Sequence, residues 1–416
     1  MNHNKFVLTF FIITAIFILA DIYLYFGIKS RLSKKWKFTY LAISGLTLGF
    51  LFFNFYSYYA GIKPSKFLRI YAFGAMFCIY VSKLLAALWI LADDIRRLVK
   101  FAVAKIRSSK TTTEEIGMSR KKFLQMGALG TFGLMFSTFI YGIVRGGYNY
   151  TIHSVSLKLK NLPKNFEGLK IVQISDMHVG SFLSSDPLEE AFAMVAELQP
   201  DIVFFTGDLV NDISEEALPH QESLKKLKAK YGVYSILGNH DYGDYVYHPD
   251  MPDHLEKKAH NMKLMLQIHK DAGWDLLLNE RRELVIGEEK ISIIGIENWG
   301  EGRFAKYGDM KKAMADVDPD TVKLLLSHDP SHWDAQVRKN YPEIDVAFAG
   351  HTHGMQFGIE TKYFRFSPVQ WRYDQWAGLY EKGHQQLYVN RGLGFVGYPG
   401  RVGISPEITL ITLEKA

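Results

Sequence analysis

The chain has 416 residues, a formal charge of +6 and one cysteine, Cys78. That length suits two or three folding units, and a lone cysteine excludes an internal disulfide framework or a cysteine-based zinc site. The basic excess belongs to residues 1–122, whereas the remainder is net acidic, so the soluble part lacks the positive footprint of a nucleic-acid binder.

Four stretches, about 5–28, 38–60, 67–92 and 123–144, are apolar over the roughly 20 residues that a bilayer-crossing helix needs. Residues 1–144 therefore read as a membrane region of four transmembrane helices. Basic loops stay in the cytoplasm. Residues 29–37 carry Lys29, Arg31, Lys34, Lys35 and Lys37, and residues 93–122 carry Arg96, Arg97, Lys100, Lys105, Arg107, Lys110, Arg120, Lys121 and Lys122. The N-terminus and the 61–66 turn are poorer in positive charge. This pattern predicts an integral protein of a bacterial inner or plasma membrane, with everything after the fourth span outside. Ser119-Arg120-Lys121-Lys122-Phe123-Leu124 resembles a twin-arginine export signal with Lys for the second Arg, or is an ordinary basic flank. Asp21 and Lys83 lie inside the first and third spans at similar expected depth. An intramembrane charge is costly unless paired, so the two are expected to pair; the alternative is that each snorkels to the interface.

The chain changes character near residue 151. Thr151–Lys160 alternates polar and apolar residues as a half-exposed strand does. Residues 170–174, 201–205, 233–237, 291–296, 322–326, 345–349, 387–389 and 407–413 read as further strands. Helical patterns cover 186–198, with Asp186 as cap and Pro187 in the first turn, and 216–229. Alternating strand and helix favours an α/β domain over residues 151–416.

Five short runs carry the chemistry: Asp176-Met177-His178, Gly207-Asp208, Gly238-Asn239-His240-Asp241, Ser327-His328 and Gly350-His351-Thr352-His353-Gly354. Each follows an apolar strand, the end at which open α/β sheets build their sites. Carboxylate, amide and imidazole together suit Mn, Fe or Zn, and the lack of thiolate disfavours a purely structural zinc. Taken singly, each run is an ordinary turn; in this order they form a set.

The order D-x-H, G-D, G-N-H-D, H, G-H-x-H resembles that of the calcineurin-like metallophosphoesterases over about residues 165–413. The resemblance implies a four-layer sandwich, two mixed β-sheets flanked by helices, with two divalent metal ions between strand ends. It assigns Asp176, His178 and His353 to one metal, Asn239, His328 and His351 to the other, and Asp208 to both. His240 would stay off the metals near the phosphoryl oxygen, with Asp241 setting its orientation. The implied reaction is phosphoester hydrolysis by a hydroxide held between the ions. Val389-Asn390-Arg391-Gly392-Leu393-Gly394 and Ser405-Pro406-Glu407-Ile408 resemble the membrane-anchored bacterial branch, some of whose members are proposed to cleave UDP-2,3-diacylglucosamine in lipid A synthesis.

Residues 242–270, with Tyr242, Tyr245, Tyr247, His248, His254, His260 and His269, read either as a cap over the site or as an amphipathic surface helix. The aromatic stretch 361–380 reads as an apolar wall for a lipid tail, a bilayer contact, or core packing. Arg365, Arg372, Arg391 and Arg401 are candidates for a second phosphate contact, with Tyr242 beside them. The expected partners are the lipid bilayer and a phosphoester, lipid-linked or of the cell envelope. A metal-binding scaffold without activity and a transporter with an appended domain are the readings of other classes.

Overall fold

A computed structural model describes residues 3–60, 62, 64–106, 117–302 and 304–416. Arg107 and Lys110 of the second basic segment and part of the 61–66 turn lie outside them. The chain divides into two units, Met1–Tyr141 and Gly142–Ala416.

The first unit is built from α1 (His3–Ile28), α2 (Lys34–Ala60), α3 (Phe73–Ile106) and α4 (Gly117–Val144), with a π-helical turn at Leu68–Ala72 before α3. All four are long and apolar enough to cross a membrane. Leu8, Phe38, Leu46 and Leu134 stand exposed on them, as side chains meant for hydrocarbon do. α3 runs beyond the expected end near residue 92. Asp93 accepts hydrogen bonds from Arg96 and Arg97, pairs one turn apart that support a helix, and no Gly or Pro stops it before Ile106. The Ser119–Leu124 run lies within α4.

Asp21 of α1 and Lys83 of α3 form a buried ion pair. Ser44 Oγ donates to Asp21 Oδ1 at 2.9 Å, Tyr80 OH donates to Oδ2 at 2.9 Å, and Lys83 also donates to Ser44 at 3.0 Å. Separate snorkelling is therefore not what the fold adopts. The pair has its lone pairs and protons satisfied by three helices, which is what makes buried charge tolerable. Lys83→Ala is expected to lower the melting temperature of the detergent-solubilised chain, and adding Asp21→Ala to cost little more, a coupling of roughly 1–3 kcal/mol. Strict additivity in that double-mutant cycle would overturn the pairing.

The second unit opens with β1 (Thr151–Leu159) and β2 (Lys170–Ile174), followed by α5 (Asp186–Glu197), β3 (Ile202–Phe205), the short α6 (Gln221–Leu224), β4 (Val233–Ser235), α7 (His254–Ala272) and β5 (Asp275–Leu276). Next come β6 (Glu280–Ile286), β7 (Glu289–Gly295), α8 (Met310–Ala313), β8 (Lys323–Leu326), α9 (Arg338–Asn340) and β9 (Val346–Ala349). A small hairpin, β10 (Ile359–Glu360) and β11 (Arg365–Phe366), precedes β12 (Gly378–Lys382), β13 (Gln385–Val389) and β14 (Glu407–Lys415). One sheet has the order β1-β14-β2-β3-β4-β5, the other β12-β13-β9-β8-β7-β6. Both are mixed: β2, β3, β4 and β5 run parallel, as do β7, β8, β9 and β13, while β14 on β2, β6 on β7 and β12 on β13 are antiparallel.

Strand alternation builds the layers. Ile202 and Phe204 of β3 join Ile291, Ile293, Leu324, Leu326, Val346 and Phe348 in a core between the sheets. Val203 and Phe205 point the other way, onto Leu188 and Phe192 of α5 and Met265 and Ile268 of α7. The outer face of the second sheet, through Leu325, Ala347 and Leu387, is covered by Met310, Trp333 and Val337. Helices thus flank two packed mixed sheets.

Three local expectations change. Asp186 is the first helical residue, with Ser185 at the cap position. The 216–229 segment forms a 3-10 stretch, Ser214–His220, before the one-turn α6, because Pro219 inside it has no N–H to donate. Residues 254–272 are no cap: Met265, Ile268 and Ala272 of α7 are buried on the first sheet.

Candidate metal centre

The five runs leave the C-terminal ends of β2, β3, β4, β8 and β9, three strands from one sheet and two from the other. The adjoining ends make one cluster. Asp176, His178 and His353 place ligand atoms within 4.8 Å of one another, as do His178, Asp208 and His240, and Asp208, His328 and His351. Asp208 belongs to two of these groups and stands between them.

The backbone is bent to achieve this. Asp176, His178, Asp208, His351 and His353 all have φ between 45° and 70°, the left-handed region that non-glycine residues avoid at a cost of about 1–3 kcal/mol each. Two glycines let the segments close in. A Cβ on Gly238 would stand 2.2 Å from Asp208 Oδ1, and one on Gly350 would stand 2.2 Å from Asp176 Oδ2. Main-chain donors then fix the carboxylates: His351 N–H donates to both oxygens of Asp176 at 3.0 Å, and His240 N–H to Asp208 Oδ1 at 2.9 Å.

Within this frame His178 Nε2 and His353 Nε2 lie 3.0 Å apart, with Asp176 Oδ1 3.2 Å from His353 Nε2. Asp208 Oδ2 lies 3.1 Å from His328 Nε2 and 3.7 Å from His178 Nε2. His328 Nδ1–H donates to Thr206 O at 2.7 Å, which turns Nε2 toward Asp208. Asn239 donates from Nδ2 to Tyr245 OH at 2.8 Å, while its buried Oδ1 has no protein partner. A buried amide oxygen without a donor costs about 1–3 kcal/mol and is what a cation ligand looks like before its ion.

Charge agrees with that fit. Burial works against ionisation of Asp176, but the His353 and His328 imidazoles outweigh it and hold the carboxyl well below the usual range. Burial likewise opposes charge on Asp208, and His328 and His240 overcome it. Burial disfavours a proton on His328, yet Asp208 pushes its pKa up to about 10. Burial holds His178 and His353 neutral, with pKa values lowered. Two buried carboxylates, with His178 and His353 neutral and a proton on His328 that a cation would displace, form a pocket made for positive charge, and the O/N donor set suits a divalent ion.

His240 and Asp241 separate in role. Asp241 does not reach the His240 ring. Its carboxylate accepts N–H bonds from Asp208 and Gly238 at 2.9 Å, Leu209 at 2.8 Å and Val210 at 3.2 Å. Burial and then the Asp208 charge push its pKa up to about 7, against the pull of the Gly238 and Val210 N–H groups. The expectation that Asp241 orients His240 is thus corrected: Asp241 ties the Asp208 loop to the Gly238 turn. His240 is oriented by Nδ1–H donating to Asn211 O and by Tyr245, whose ring centroid lies 4.6 Å away. The His240 ring stands beside His178, centroids 4.9 Å apart, in one group with Asp208.

The three residues proposed to touch substrate are occupied inside the protein. Arg391 donates to Glu407 and Glu360 at 2.5 Å each. Arg401 donates to Gly394 O and Gly392 O and sets Nη2 3.2 Å from His353 Nδ1, so it braces a cluster residue from behind. Tyr242 is buried, accepts from Asn298 N–H at 3.0 Å and stacks on Tyr307. None presents a free donor to a phosphate. Arg365 and Arg372 also spend donors internally, on Ala377 O and Glu301 O.

Two contributors escaped the sequence reading. His351 Nε2 lies 2.8 Å from Tyr373 OH and 3.5 Å from the buried Asp329 Oδ2. A hydroxyl and a carboxylate behind one ring nitrogen leave the other, Nδ1, available to a cation, as outer partners of metal-binding imidazoles do. Asp329 directly follows His328 and was visible as a neighbour; Tyr373 is distant in sequence and had no signal.

Comparisons with known proteins place this geometry in context. A family model described as "Calcineurin-like phosphoesterase" matches residues 169–355, and one described as "Probable Calcineurin-like phosphoesterase, transmembrane domain" matches residues 4–147. The chain is similar to a "Transmembrane protein with metallophosphoesterase domain" of Danio rerio, 30% identical over 286 residues, 67% of this chain and 60% of that protein. It therefore spans less than two thirds of that relative's length. It is similar to an uncharacterized metallophosphoesterase, YkuE, of Bacillus subtilis, 27% identical over 315 residues, 72% of this chain and 98% of that one. It is also similar to the "UDP-2,3-diacylglucosamine pyrophosphatase LpxG" of Chlamydia trachomatis, 31% identical over 281 residues, 56% of this chain and 81% of that one.

Proposed function

We propose that this chain, which belongs to the calcineurin-like phosphoesterase family and is an integral membrane protein, hydrolyses a phosphoester with two divalent ions. The observation that carries the reading is Asp208: one fully buried carboxylate in contact with imidazoles of both groups. Asp176, His178 and His353 would hold one ion and Asn239, His328 and His351 the other, with Asp208 shared.

When bound, such ions supply a water nucleophile at neutral pH and positive charge for the phosphoryl oxygens. The chain's own contribution is placement. Thr206 O fixes the His328 ring, and Asp329 with Tyr373 fixes His351. Asp241 holds the loop that carries Asp208. His240 is the residue that acts on substrate: with Nδ1–H spent on Asn211 O, its Nε2 serves the phosphoryl oxygen or protonates the leaving oxygen.

The test of the activity is hydrolysis of a generic phosphodiester with Mn²⁺; no turnover with any divalent metal favours the scaffold reading. Within the active enzyme, His240→Ala is expected to lower turnover by about 10²–10⁴-fold with metal content near that of the parent. Loss of metal from that variant, measured by elemental analysis, would make His240 a ligand instead.

Two substrates compete. Basic segments predict a domain on the outer face of a bacterial membrane and an extracytoplasmic, lipid-linked or envelope phosphoester. Supporting a shared cytoplasmic end, Arg31 and Gln125 are hydrogen-bonded at 2.9 Å and Arg120 approaches Asp93, so the basic flanks meet at one end of the helices. The chlamydial relative's name favours the other reading, a UDP-2,3-diacylglucosamine-type pyrophosphate, whose site would face the cytoplasm. A reporter fused after Ala416 decides between them.

A further inference from the structure

The β10–β11 hairpin and the turn after it expose large apolar side chains on the second unit. Tyr363 is 90% exposed, Trp371 77%, Phe364 57% and Ile359 55%. They are not loosely hung. At the tip Thr361 N–H donates to Phe364 O at 2.8 Å, and Thr361 Oγ1 accepts from Phe364 N–H at 3.0 Å. Phe364 stacks on Phe366, and Phe366 meets Trp371 edge-on. The base is tied down by Gly358 N–H to Val402 O at 2.9 Å and by Arg365 to Ala377 O. The neighbouring aromatics take the opposite part: Tyr373 and Trp376 are buried with Val369, Ala377 and Ile404 in a small core. The fold thus holds Tyr363, Phe364 and Trp371 out on a rigid mount, which water alone does not reward.

We propose that this hairpin rests in the interfacial layer of the lipid bilayer. Three observations favour lipid over a protein partner. The chain carries four helices fit to cross a membrane, and only residues 145–150 separate the end of α4 from β1. Six residues reach at most about 20 Å, so the second unit is tethered to a bilayer by a short segment. From 361 to 373 there is no acidic residue, while Lys362 stands at the tip among the aromatics and Arg365 and Arg372, each with one donor held by a main-chain carbonyl, keep the stretch positive. Tyr and Trp with flanking cations are what sit at the headgroup level of membranes, where the rings enter the acyl boundary and the cations meet lipid phosphates.

The mount is also continuous with the metal centre. Ser367 Oγ donates to Gly354 O at 2.8 Å, one residue beyond His353, and Trp371 is two residues before Tyr373, whose hydroxyl meets His351. A hairpin in the headgroup layer therefore holds the His351–His353 loop near lipid phosphates. Resting on the hydrolase reading, this gives the substrate class: a phosphoester carried on a membrane lipid.

The test uses the full chain in phosphatidylethanolamine/phosphatidylglycerol vesicles, spin-labelled at Tyr363→Cys and, as an aqueous control, at the exposed Glu288→Cys; unsubstituted chain gives the Cys78 background. The expected result is high oxygen and low nickel-chelate collision at 363 and the reverse at 288. Aqueous behaviour at both positions overturns the proposal, as does spin–spin broadening at 363 that grows with protein density, which would mean a second copy covers the hairpin. A second readout is Tyr363→Ser/Phe364→Ser/Trp371→Ser. Its turnover on a vesicle-borne phosphodiester, relative to that on a soluble one, should fall about tenfold; an unchanged ratio counts against lipid contact. If the parent cleaves neither substrate, the hydrolase reading fails while the label positions still report on the hairpin.

Discussion

Asp208→Asn removes bound metal and lowers turnover by about 10³-fold or more, the scale of losing several kcal/mol of transition-state charge stabilisation. The reason is position. Asp208 Oδ2 stands 3.1 Å from His328 Nε2 and 3.7 Å from His178 Nε2, so an uncharged amide NH2 there, which has no lone pair to offer an ion, weakens both halves of the centre together. Asn has the same shape, and its oxygen can still accept the His240 N–H that Asp208 Oδ1 now takes at 2.9 Å. The metal-free variant should still melt a few degrees below the metal-free parent, because Asp208 is the charge that keeps the buried His328 protonated and that pair is lost. Elemental analysis, turnover and melting of both metal-free forms check the three statements. Full metal content with lost turnover would mean that Asp208 serves the reaction without serving the ions.

Glu407→Gln is expected to destabilise the second unit by about 1–3 kcal/mol, because the buried Arg391 loses one of its two carboxylates, keeps Glu360, and bonds a neutral amide more weakly. Glu407 opens β14 and is fully buried. It accepts from Arg391 Nη1 at 2.5 Å and N–H at 3.0 Å, from Tyr388 OH at 2.6 Å and from Thr409 Oγ1 at 2.7 Å. The next residues carry the effect forward, because Leu393 and Gly394 N–H donate to Ser175 O and Asp176 O at 2.8 Å. Metal affinity should fall along with stability. The variant also changes the pH response. Burial alone would raise the Glu407 pKa, but Arg391 overcomes it and the carboxyl titrates below its usual 4.5. Its stabilisation is present above that value and lost as pH falls through the depressed folded pKa. The parent should lose stability in that acid range more steeply than Glu407→Gln. Melting curves from neutral pH down to about pH 2 measure both, and adding Arg391→Met should recover part of the loss.

The limits of the sequence reading have physical causes. Apolar runs such as Lys170–Ile174 and Val346–Ala349 announce buried parallel strands, so the strands carrying the five runs were legible. β6 and β12 were not, because Glu280–Ile286 and Gly378–Lys382 are half-exposed antiparallel edges of mixed composition. Arg391 and Arg401 looked like phosphate ligands because arginine chemistry is the same whether its partner is a substrate or a buried glutamate. Only their partners, Glu407, Glu360 and the carbonyls of Gly392 and Gly394, tell which. Asp241 misled for a similar reason: adjacency to His240 in the chain suggested contact, while its carboxylate is taken up by the main-chain N–H groups of Asp208, Leu209, Val210 and Gly238.

Ligand types, their order after apolar strands, and the four apolar spans were readable along the chain, because these depend on local residue chemistry and periodicity. The tertiary structure decided how each group is aimed. His328 is turned by Thr206, His351 is set by Asp329 and Tyr373, and Asp21 meets Lys83 across 62 positions. Those contacts join residues far apart in the chain, and a side chain's partner, unlike its chemistry, exists only once the fold has brought the two together.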